Sequence, residues 1–216
     1  MPYKNKDKIH LDNAYYHVYN RGYEKRRIFK SPHDYNTFIY FLRKYLDPTF
    51  RIVRRDKHGN LRKVIPNHLY REVNLVAYCL MPNHYHLLLH QTKIYGVSKL
   101  INRISGSYTK FFNDKHDHQN TIWQGAYKAV LIRNEQHLLE ISRYIHNNPR
   151  KIMGDRELES YLFSSLPAYL ADAKYIVDRN LGWIKSYKIL NFYEKSERKR
   201  LYMGFLNERP LEQGPP

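Results

Sequence analysis

Residues 72–90 read EVNLVAYCLMPNHYHLLLH and contain two strand-like apolar runs, 72–80 and 84–90, separated by the residues MPN. A three-residue connection leaves room only for a tight reversal, so these two strands should pair antiparallel. Two further strands are predicted, one at 14–20 (AYYHVYN), where β-branched and aromatic residues dominate, and a short one at about 127–132. The sequence therefore predicts a central antiparallel sheet.

Three helices are predicted from the spacing of apolar side chains. In the first, at 31–47, Ser31 can cap the N-terminus and Pro32 can occupy the first turn. The second covers 97–113 and the third covers 135–147. Helices that pack on an antiparallel sheet make an α+β fold.

The chain is expected to form one domain over residues 1–174, with a basic loop or hairpin inserted at about 50–71. The region 161–192 gives no clear prediction of helices or strands. Residues 175–216 carry many charges, and they are expected to form a helical, basic extension.

The composition points to a nucleic-acid partner. The chain has 37 Lys and Arg against 20 Asp and Glu, a formal net charge of +17, together with 21 Tyr. Cations neutralise phosphates and aromatic faces stack on unpaired bases, so this mixture favours single-stranded nucleic acid. The alternative is a basic protein whose charge serves only its solubility.

Membrane and secreted proteins are disfavoured by the hydropathy pattern. The longest apolar run, 75–81, is far shorter than the roughly 20 residues that span a bilayer. The first residues (MPYKNKDKIHLDN) lack the apolar core of a signal peptide. Cys79 is the only cysteine and cannot form an internal disulfide. We expect a cytoplasmic protein with no membrane partner.

The first candidate site is His84-Tyr85-His86. Residues two apart in a strand share one face, so the two imidazoles could bind a metal ion together while Tyr85 anchors the opposite face in the core. Two half-buried or solvated histidines without a metal are the alternative.

The second candidate site is Tyr144-Ile145-His146-Asn147-Asn148, near the end of a predicted helix. Tyr144 and Asn148 are one turn apart and lie on the same face. If that face looks onto the strand with the two histidines, two imidazoles, an amide oxygen and a phenol surround a divalent ion. The alternative is a core Tyr with an Asn that caps the helix. Tyr108 is a competing nucleophile, although Phe112 stands one turn after it.

Three motifs follow one another along the chain: 76–89 (VAYCLMPNHYHLLL), 122–128 (IWQGAYK) and 144–151 (YIHNNPRK). In this order they resemble the REP-associated tyrosine transposases, which are single-tyrosine transposases within the HUH nucleases, and HVYNRG at 17–22 is also typical of that family. The resemblance extends from about residue 15 to residue 165. We expect a sheet of ferredoxin-like or RRM-like topology.

The resemblance implies a role for each candidate residue. His84 and His86 are the metal-binding histidines, Asn148 is the third ligand, and Tyr144 is the nucleophile. The metal is Mg²⁺ or Mn²⁺. The implied activity is cleavage and strand transfer of single-stranded DNA through a covalent 5′-phosphotyrosine, at sites recognised beside hairpins. The alternative function is a non-catalytic DNA- or RNA-binding regulator with the same fold.

Basic side chains are expected to contact DNA phosphates, and solvated surface charge is the alternative for each of them. Both a monomer and a homodimer are compatible with the sequence. The predicted DNA-binding residues are Arg21, Lys25, Arg26, Arg27, Arg54, Arg55, Arg62, Lys63, Lys110, Lys128 and Arg133.

Overall fold

Six strands and seven helices make up the computed structural model, which describes residues 8–154, 157–171 and 181–208. Short 3-10 turns lie at Tyr23–Lys25 and Leu158–Ser160. In chain order, the strands and helices are β1 (Ala14–Arg21), α1 (Pro32–Leu46), β2 (Ile52–Arg55), β3 (Leu61–Val64), β4 (Val73–Met81), β5 (His84–Gln91), α2 (Gly96–His116), β6 (Lys128–Ile132), α3 (Glu135–Asn147), α4 (Arg150–Met153), α5 (Leu166–Leu170), α6 (Tyr187–Leu190) and α7 (Arg198–Asn207).

The central sheet has the strand order β4-β5-β1-β6, and all three pairings are antiparallel. In the β1–β5 pairing, Arg21 is opposite His84 and Tyr19 is opposite His86. Lys128 in β6 is opposite Tyr19 on the other side of β1. The predicted α+β fold with a central antiparallel sheet is confirmed.

The sheet separates two helical layers. On one face, α1 and α2 enclose an apolar core that includes Val18 and Tyr85. On the other face, α3 packs on β4 and β5 through Ile141 and Ile145, and α6 and α7 pack on α3. Because successive side chains of a strand point to opposite faces of the sheet, Tyr85 faces α1 and α2, while its neighbours His84 and His86 face α3.

Strand β4 is apolar along nearly its whole length because the protein covers both of its faces and its outer edge. Leu80 N donates to Phe163 O at 2.9 Å, and Ser165 N donates to Tyr78 O at 2.9 Å. Further along, Lys185 N donates to the Leu75 carbonyl oxygen at 2.8 Å. Residues 163–165 and Lys185, whose part of the sequence gives no clear prediction, therefore lie along the edge of the sheet.

The basic insertion forms a separate two-stranded ribbon of β2 and β3, in which Arg54 is opposite Arg62. Its turn is held by Asp56, whose side chain accepts hydrogen bonds from the backbone of His58 and Asn60. The predicted domain boundary near residue 174 lies outside the described residues. Within the described ranges, none of the helices is long and apolar enough to cross a bilayer.

Candidate active site

The pairing of β1 with β5 gathers histidines on the face of the sheet that α3 covers. His84 and His86 lie on β5 with ring centroids 5.0 Å apart and perpendicular planes. His17 on β1 stacks on His86, and its Nε2 atom lies 2.9 Å from His86 Nδ1. Tyr19 stacks on His17 from the same strand. Four polar or aromatic rings thus share one surface.

Helix α3 places Tyr144 over this surface. The helix starts at the N-cap Asn134, whose side chain accepts from His137 N, and its apolar stripe buries Ile141 and Ile145 against the sheet. Tyr144 lies beside that stripe, with its ring centroid 5.3 Å from that of His86. The predicted approach of the tyrosine to the HYH motif is therefore present at His86.

Asn148 is oriented by the end of the same helix. Its Nδ2 atom donates to the Tyr144 carbonyl oxygen at 2.8 Å, which is the capping contact that the alternative interpretation requires. The same hydrogen bond leaves Oδ1 buried, and Oδ1 has no hydrogen-bond partner among the described residues. The amide therefore caps the helix and presents an acceptor as well.

The histidines offer matching acceptors. His86 Nε2 is also buried without a hydrogen-bond partner in the described chain. Asn83 donates through Nδ2 to the Lys25 carbonyl oxygen, and its Oδ1 lies 2.6 Å from His84 Nδ1. In the neutral imidazole, Nδ1 of His84 therefore carries the proton and Nε2 carries the lone pair.

These acceptors fit a divalent cation with mixed nitrogen and oxygen ligands. Buried polar atoms are normally paired, so two unpaired acceptors beside one tyrosine call for a common partner. No cluster of three or more His, Cys, Asp or Glu suited to a metal occurs in the ranges that the structure describes. The acceptors beside Tyr144 come instead from two histidines and an amide.

The protein keeps the three histidines neutral. Burial lowers the pKa of His84 to about 4, with a further contribution from Arg21 and Lys151, and lowers the pKa of His17 to about 3. Burial, and then His17, lowers the pKa of His86 well below its ordinary value. Neutral imidazoles have the lone pair that a metal requires.

Tyr144 is half-buried, and burial raises its pKa, while the Asn148 side chain and Arg21 act in the opposite direction. The phenol is consequently protonated near neutral pH. The Lys151 ammonium lies 5.7 Å from the centroid of the Tyr144 ring. Lys151 therefore adds a positive charge over the face of the Tyr144 ring.

Gly22 positions a basic segment beside the histidines. A Cβ atom at this position would collide with the Arg26 carbonyl oxygen and with the Ile28 side chain. Gly22 N donates to Asn83 O at 2.8 Å, and Ile28 N donates to Pro82 O at 2.9 Å. The absent side chain thus lets residues 22–28 fold against the β4–β5 turn.

All eleven predicted DNA-binding residues are exposed, but only some lie near the site. In the β1–β5 pairing, Arg21 is opposite His84, and Lys128 lies over the Tyr19 ring. Arg133, in contrast, lies at the opposite end of β6. The ribbon forms a separate surface, and Lys110 lies on α2 in the opposite layer. Lys25, Arg26 and Arg27 belong to the segment beside the β4–β5 turn, and carboxylates pair with Arg26, Arg62 and Lys110.

Tyr108 is not part of this constellation. Its side chain is fully buried between the sheet and its helical layer, and its hydroxyl donates to Ile28 O at 2.6 Å. Tyr19 is instead the second tyrosine at the site, since its ring centroid lies 5.7 Å from that of His86. The competing nucleophile named from the sequence therefore has a structural role.

Sequence reasoning missed His17, Tyr19 and Lys151. A usable signal was present, because His17 and Tyr19 are two apart and must share a face of the predicted first strand. Which neighbour that face meets depends on the strand order, and residue types alone do not give it. Lys151 follows Pro149, where the sequence suggests that the helix ends, but α4 continues the path of the chain past Tyr144.

Comparison with solved structures finds a similar fold. A structure of a REP-associated tyrosine transposase bound to a REP hairpin superposes with a TM-score of 0.52 at 15% identity, covering 82% of this chain and 87% of the other. A crystal structure of a transposase candidate from Deinococcus radiodurans R1 gives a TM-score of 0.39 at 16% identity, covering 68% and 97%. No curated protein sequence matches significantly.

The sequence model of the family described as "Transposase IS200 like" matches residues 10–148, which include both histidines of the HYH motif, Tyr144 and Asn148. The match spans well over half of the chain. The resemblance to a transposase family is thereby confirmed, and so is the expectation of a DNA-processing enzyme. The chain belongs to the IS200-like transposases.

Proposed function

We propose that the protein is a metal-dependent endonuclease and strand transferase of single-stranded DNA that acts through a covalent 5′-phosphotyrosine. The observation that carries the proposal is a pair of buried acceptors, His86 Nε2 and Asn148 Oδ1, beside Tyr144, for which the described residues supply no hydrogen-bond partner. A structural role for Tyr144 and a capping role for Asn148 would not explain why β5 presents a second acceptor, His86 Nε2, that has no partner among the described residues. The family supports transposase chemistry for this constellation.

His84, His86 and Asn148 are the proposed metal ligands. All three are neutral, so they leave the charge of Mg²⁺ or Mn²⁺ available to an anionic substrate. When bound, the cation supplies Lewis-acid stabilisation to the scissile phosphate. His17 orients His86, because a proton on His86 Nδ1 can be donated to His17 Nε2 and the Nε2 atom of His86 then carries the lone pair.

Tyr144 is the proposed nucleophile. Its Oη atom forms a bond to phosphorus as the bond from phosphorus to the 3′ oxygen breaks, and the electron pair of that bond goes to the 3′ oxygen. The phenol loses its proton and the 3′ oxygen gains one, which yields a 5′-phosphotyrosine and a free 3′-OH. Arg21 stabilises the phenolate as it develops, and Lys151 lies over the face of the Tyr144 ring.

The covalent link makes strand transfer the reverse of cleavage. The phosphotyrosine conserves the phosphodiester bond, so attack by a second 3′-OH restores a DNA strand and releases the tyrosine without an external energy source. Cleavage and transfer therefore need only one set of residues.

We propose hairpin DNA with single-stranded flanks as the substrate. The similar fold of a REP-associated tyrosine transposase was determined with a REP hairpin, which supports a hairpin partner here. Exposed cations near the site, among them Arg21 and Lys128, can bind the phosphates that flank the cleaved bond. The basic ribbon provides a second cationic surface.

Adduct formation tests the proposal. The full-length protein is incubated with Mn²⁺ or Mg²⁺ and labelled DNA hairpins with randomised single-stranded flanks, then separated under denaturing conditions. We expect a protein–DNA adduct that is absent with Tyr144→Phe and absent in EDTA. Tight hairpin binding with no adduct under any metal condition would favour the non-catalytic regulator.

A further inference from the structure

The last turn of α3 is held on the side away from the candidate active site by a buried hydrogen-bond network. His146, which is fully buried, places Nδ1 2.7 Å from the Tyr202 hydroxyl and Nε2 2.7 Å from Ser165 Oγ. The Tyr202 hydroxyl also lies 3.3 Å from Ser142 Oγ, one turn earlier on α3. A neutral imidazole has one donor and one acceptor nitrogen, and each hydroxyl can take the complementary role.

This network continues into the sheet that carries the histidines. Ser165 Oγ accepts from Tyr78 N at 2.8 Å, and residues 163–165 pair with the edge of β4. Strand β4 in turn pairs with β5, with Met81 opposite His84 and Cys79 opposite His86. A continuous set of hydrogen bonds thus links the C-terminal helix α7, the helix of the nucleophile and the strand of the metal ligands.

Helix α7 makes three more contacts with the end of α3 and the residues after it. Asn147 Nδ2 donates to the Leu206 carbonyl oxygen at 2.9 Å, and the Arg143 guanidinium lies 4.6 Å from the centroid of the Phe205 ring. Arg150, just beyond α3, donates to Asn207 Oδ1 at 2.6 Å. These contacts fix both the rotation of the last turn and its position along the helix axis.

We propose that Tyr202 is a positioning residue for the reaction, and that α7 sets the placement of Tyr144 relative to His84 and His86. The inference rests on the proposed function, since it takes Tyr144 as the nucleophile. Tyr202 does not line the site: it is fully buried on the far side of α3. Its hydroxyl acts through His146, whose neighbour two residues earlier is the nucleophile.

The Tyr169 side chain provides a matched control. It is fully buried, stacks on Tyr202 with ring centroids 5.0 Å apart, and contacts the His146 ring edge-to-face. Its hydroxyl, however, donates to the Val76 carbonyl oxygen in β4 and makes no hydrogen bond to α3 among the described residues. Tyr169→Phe and Tyr202→Phe therefore remove equally buried hydroxyls, but only the second loosens α3.

The test measures the single-turnover rate of adduct formation on a labelled hairpin with randomised flanks, together with hairpin affinity and the melting temperature. A displacement of about 1 Å at a reacting atom can slow a reaction on the order of 100-fold. We expect Tyr202→Phe to slow adduct formation at least about tenfold with unchanged hairpin affinity. Tyr169→Phe should lower the melting temperature similarly and keep a rate close to that of the wild type.

Two results would overturn the inference: equal slowing by both variants, which indicates a general loss of stability, or a wild-type rate for Tyr202→Phe. If Tyr202→Phe does not fold, Asn147→Ala replaces it, because it removes the contacts of a partly buried side chain with the Leu206 carbonyl oxygen and with Arg150 Nε and leaves the buried His146 network intact. Asn147→Ala should likewise slow adduct formation and leave the hairpin affinity unchanged. A wild-type rate for this variant would overturn the inference as well. Failure of the wild type to form an adduct would count against the proposed function instead.

Discussion

His17 Nε2 lies 2.9 Å from His86 Nδ1 in a buried pair of stacked rings that joins β1 to β5. The hydrogen bond occupies one nitrogen of His86, and the other, Nε2, is buried without a hydrogen-bond partner in the described part of the chain. In the proposed metal site, His17 accepts the Nδ1 proton of His86 and thereby leaves the lone pair on Nε2, and His17 itself is not one of the proposed ligands.

Replacing His17 should weaken metal binding. His17→Phe keeps the ring volume but removes the partner of His86 Nδ1, and loss of such a partner typically reduces metal affinity about 10- to 100-fold. Mn²⁺ affinity can be measured by calorimetry in the Tyr144→Phe background with hairpin DNA bound, so that no cleavage interferes. His90→Phe is the control, because His90 lies on β5, the strand of His86, and its Nε2 atom lies 2.8 Å from Asn13 Oδ1 instead. Equal affinity in both variants would refute the orienting role.

Tyr19, whose ring lies close to His86, is the main alternative to Tyr144 as the nucleophile. Tyr144→Phe should abolish the adduct while hairpin affinity stays nearly constant, because one hydroxyl adds little to several phosphate contacts. Tyr19→Phe and Tyr108→Phe should both still form it. Mass spectrometry of the digested adduct identifies the modified tyrosine directly, and a DNA-linked peptide containing Tyr19 would show that the assignment is wrong.

The proposed ligands should differ in their importance. His84→Ala and His86→Ala should each remove cleavage without unfolding the protein, because Tyr85 and the neighbouring leucines hold β5 from its other face. Asn148→Ala should raise the Mn²⁺ concentration needed for half-maximal cleavage less severely, since a water molecule can replace an amide oxygen. Titration of cleavage against Mn²⁺ and Mg²⁺ measures this order, and undiminished activity of His86→Ala would contradict the metal site.

Binding of DNA should depend steeply on salt. Each phosphate neutralised on a single strand contributes about −0.7 to the slope of log K against log[salt]. Replacing Arg54, Arg55, Arg62 and Lys63 together should flatten this slope if the ribbon contacts DNA. Replacing the exposed Lys195 and Lys199 at the C-terminal end is the control. An identical slope for the ribbon variant and the wild type would assign those charges to the solvated surface.

Much of the sheet and of the site could be predicted because local patterns carry the information. Alternation placed His84 and His86 on one face opposite Tyr85, and helical spacing put Tyr144 and Asn148 together. The role of His17 could not be predicted in this way, since it depends on β1 lying between β5 and β6. Strand order is set by long-range packing, which residue types at short range do not encode.

The C-terminal region illustrates a second limit. Ser165 and Tyr202 have ordinary neighbours in sequence, and their roles arise only from contacts with His146. The pairing of residues 163–165 with β4 likewise uses backbone groups, so a periodic pattern of side chains does not predict it. Side chains that contact distant segments, rather than their own element, gave no pattern to interpret.

Acid should destabilise the protein partly through Asp34, which is fully buried at the start of α1. Burial acts to raise the pKa of this carboxyl, but hydrogen bonds from Lys115, from the backbone of Lys30 and Ser31, and from His116 outweigh it and lower the pKa below its ordinary value. The stabilising contribution is therefore complete above the unfolded pKa of about 3.9 and is lost as the pH falls through the lower folded value.

Asp34→Asn checks this sign. At pH 7 we expect a loss of about 2 to 3 kcal/mol in the free energy of unfolding, because the Lys115 ammonium loses a charged partner that is fully buried. Urea denaturation at several pH values should show the difference from the wild type shrinking below about pH 4, where the carboxyl is protonated in the unfolded chain. A difference that stays constant down to pH 2 would contradict the assignment.

The cover on β4 has a consequence for how the chain reaches its folded state. The segments that satisfy the outer backbone groups of this strand, near residues 163–165 and at Lys185, come long after the strand in the sequence. Until those segments have been synthesised, β4 is an apolar edge strand with unpaired N–H and C=O groups. Such edge strands promote intermolecular β-pairing. A nascent or truncated chain is therefore exposed to aggregation over the same interval in which the position of Tyr144 is still unfixed.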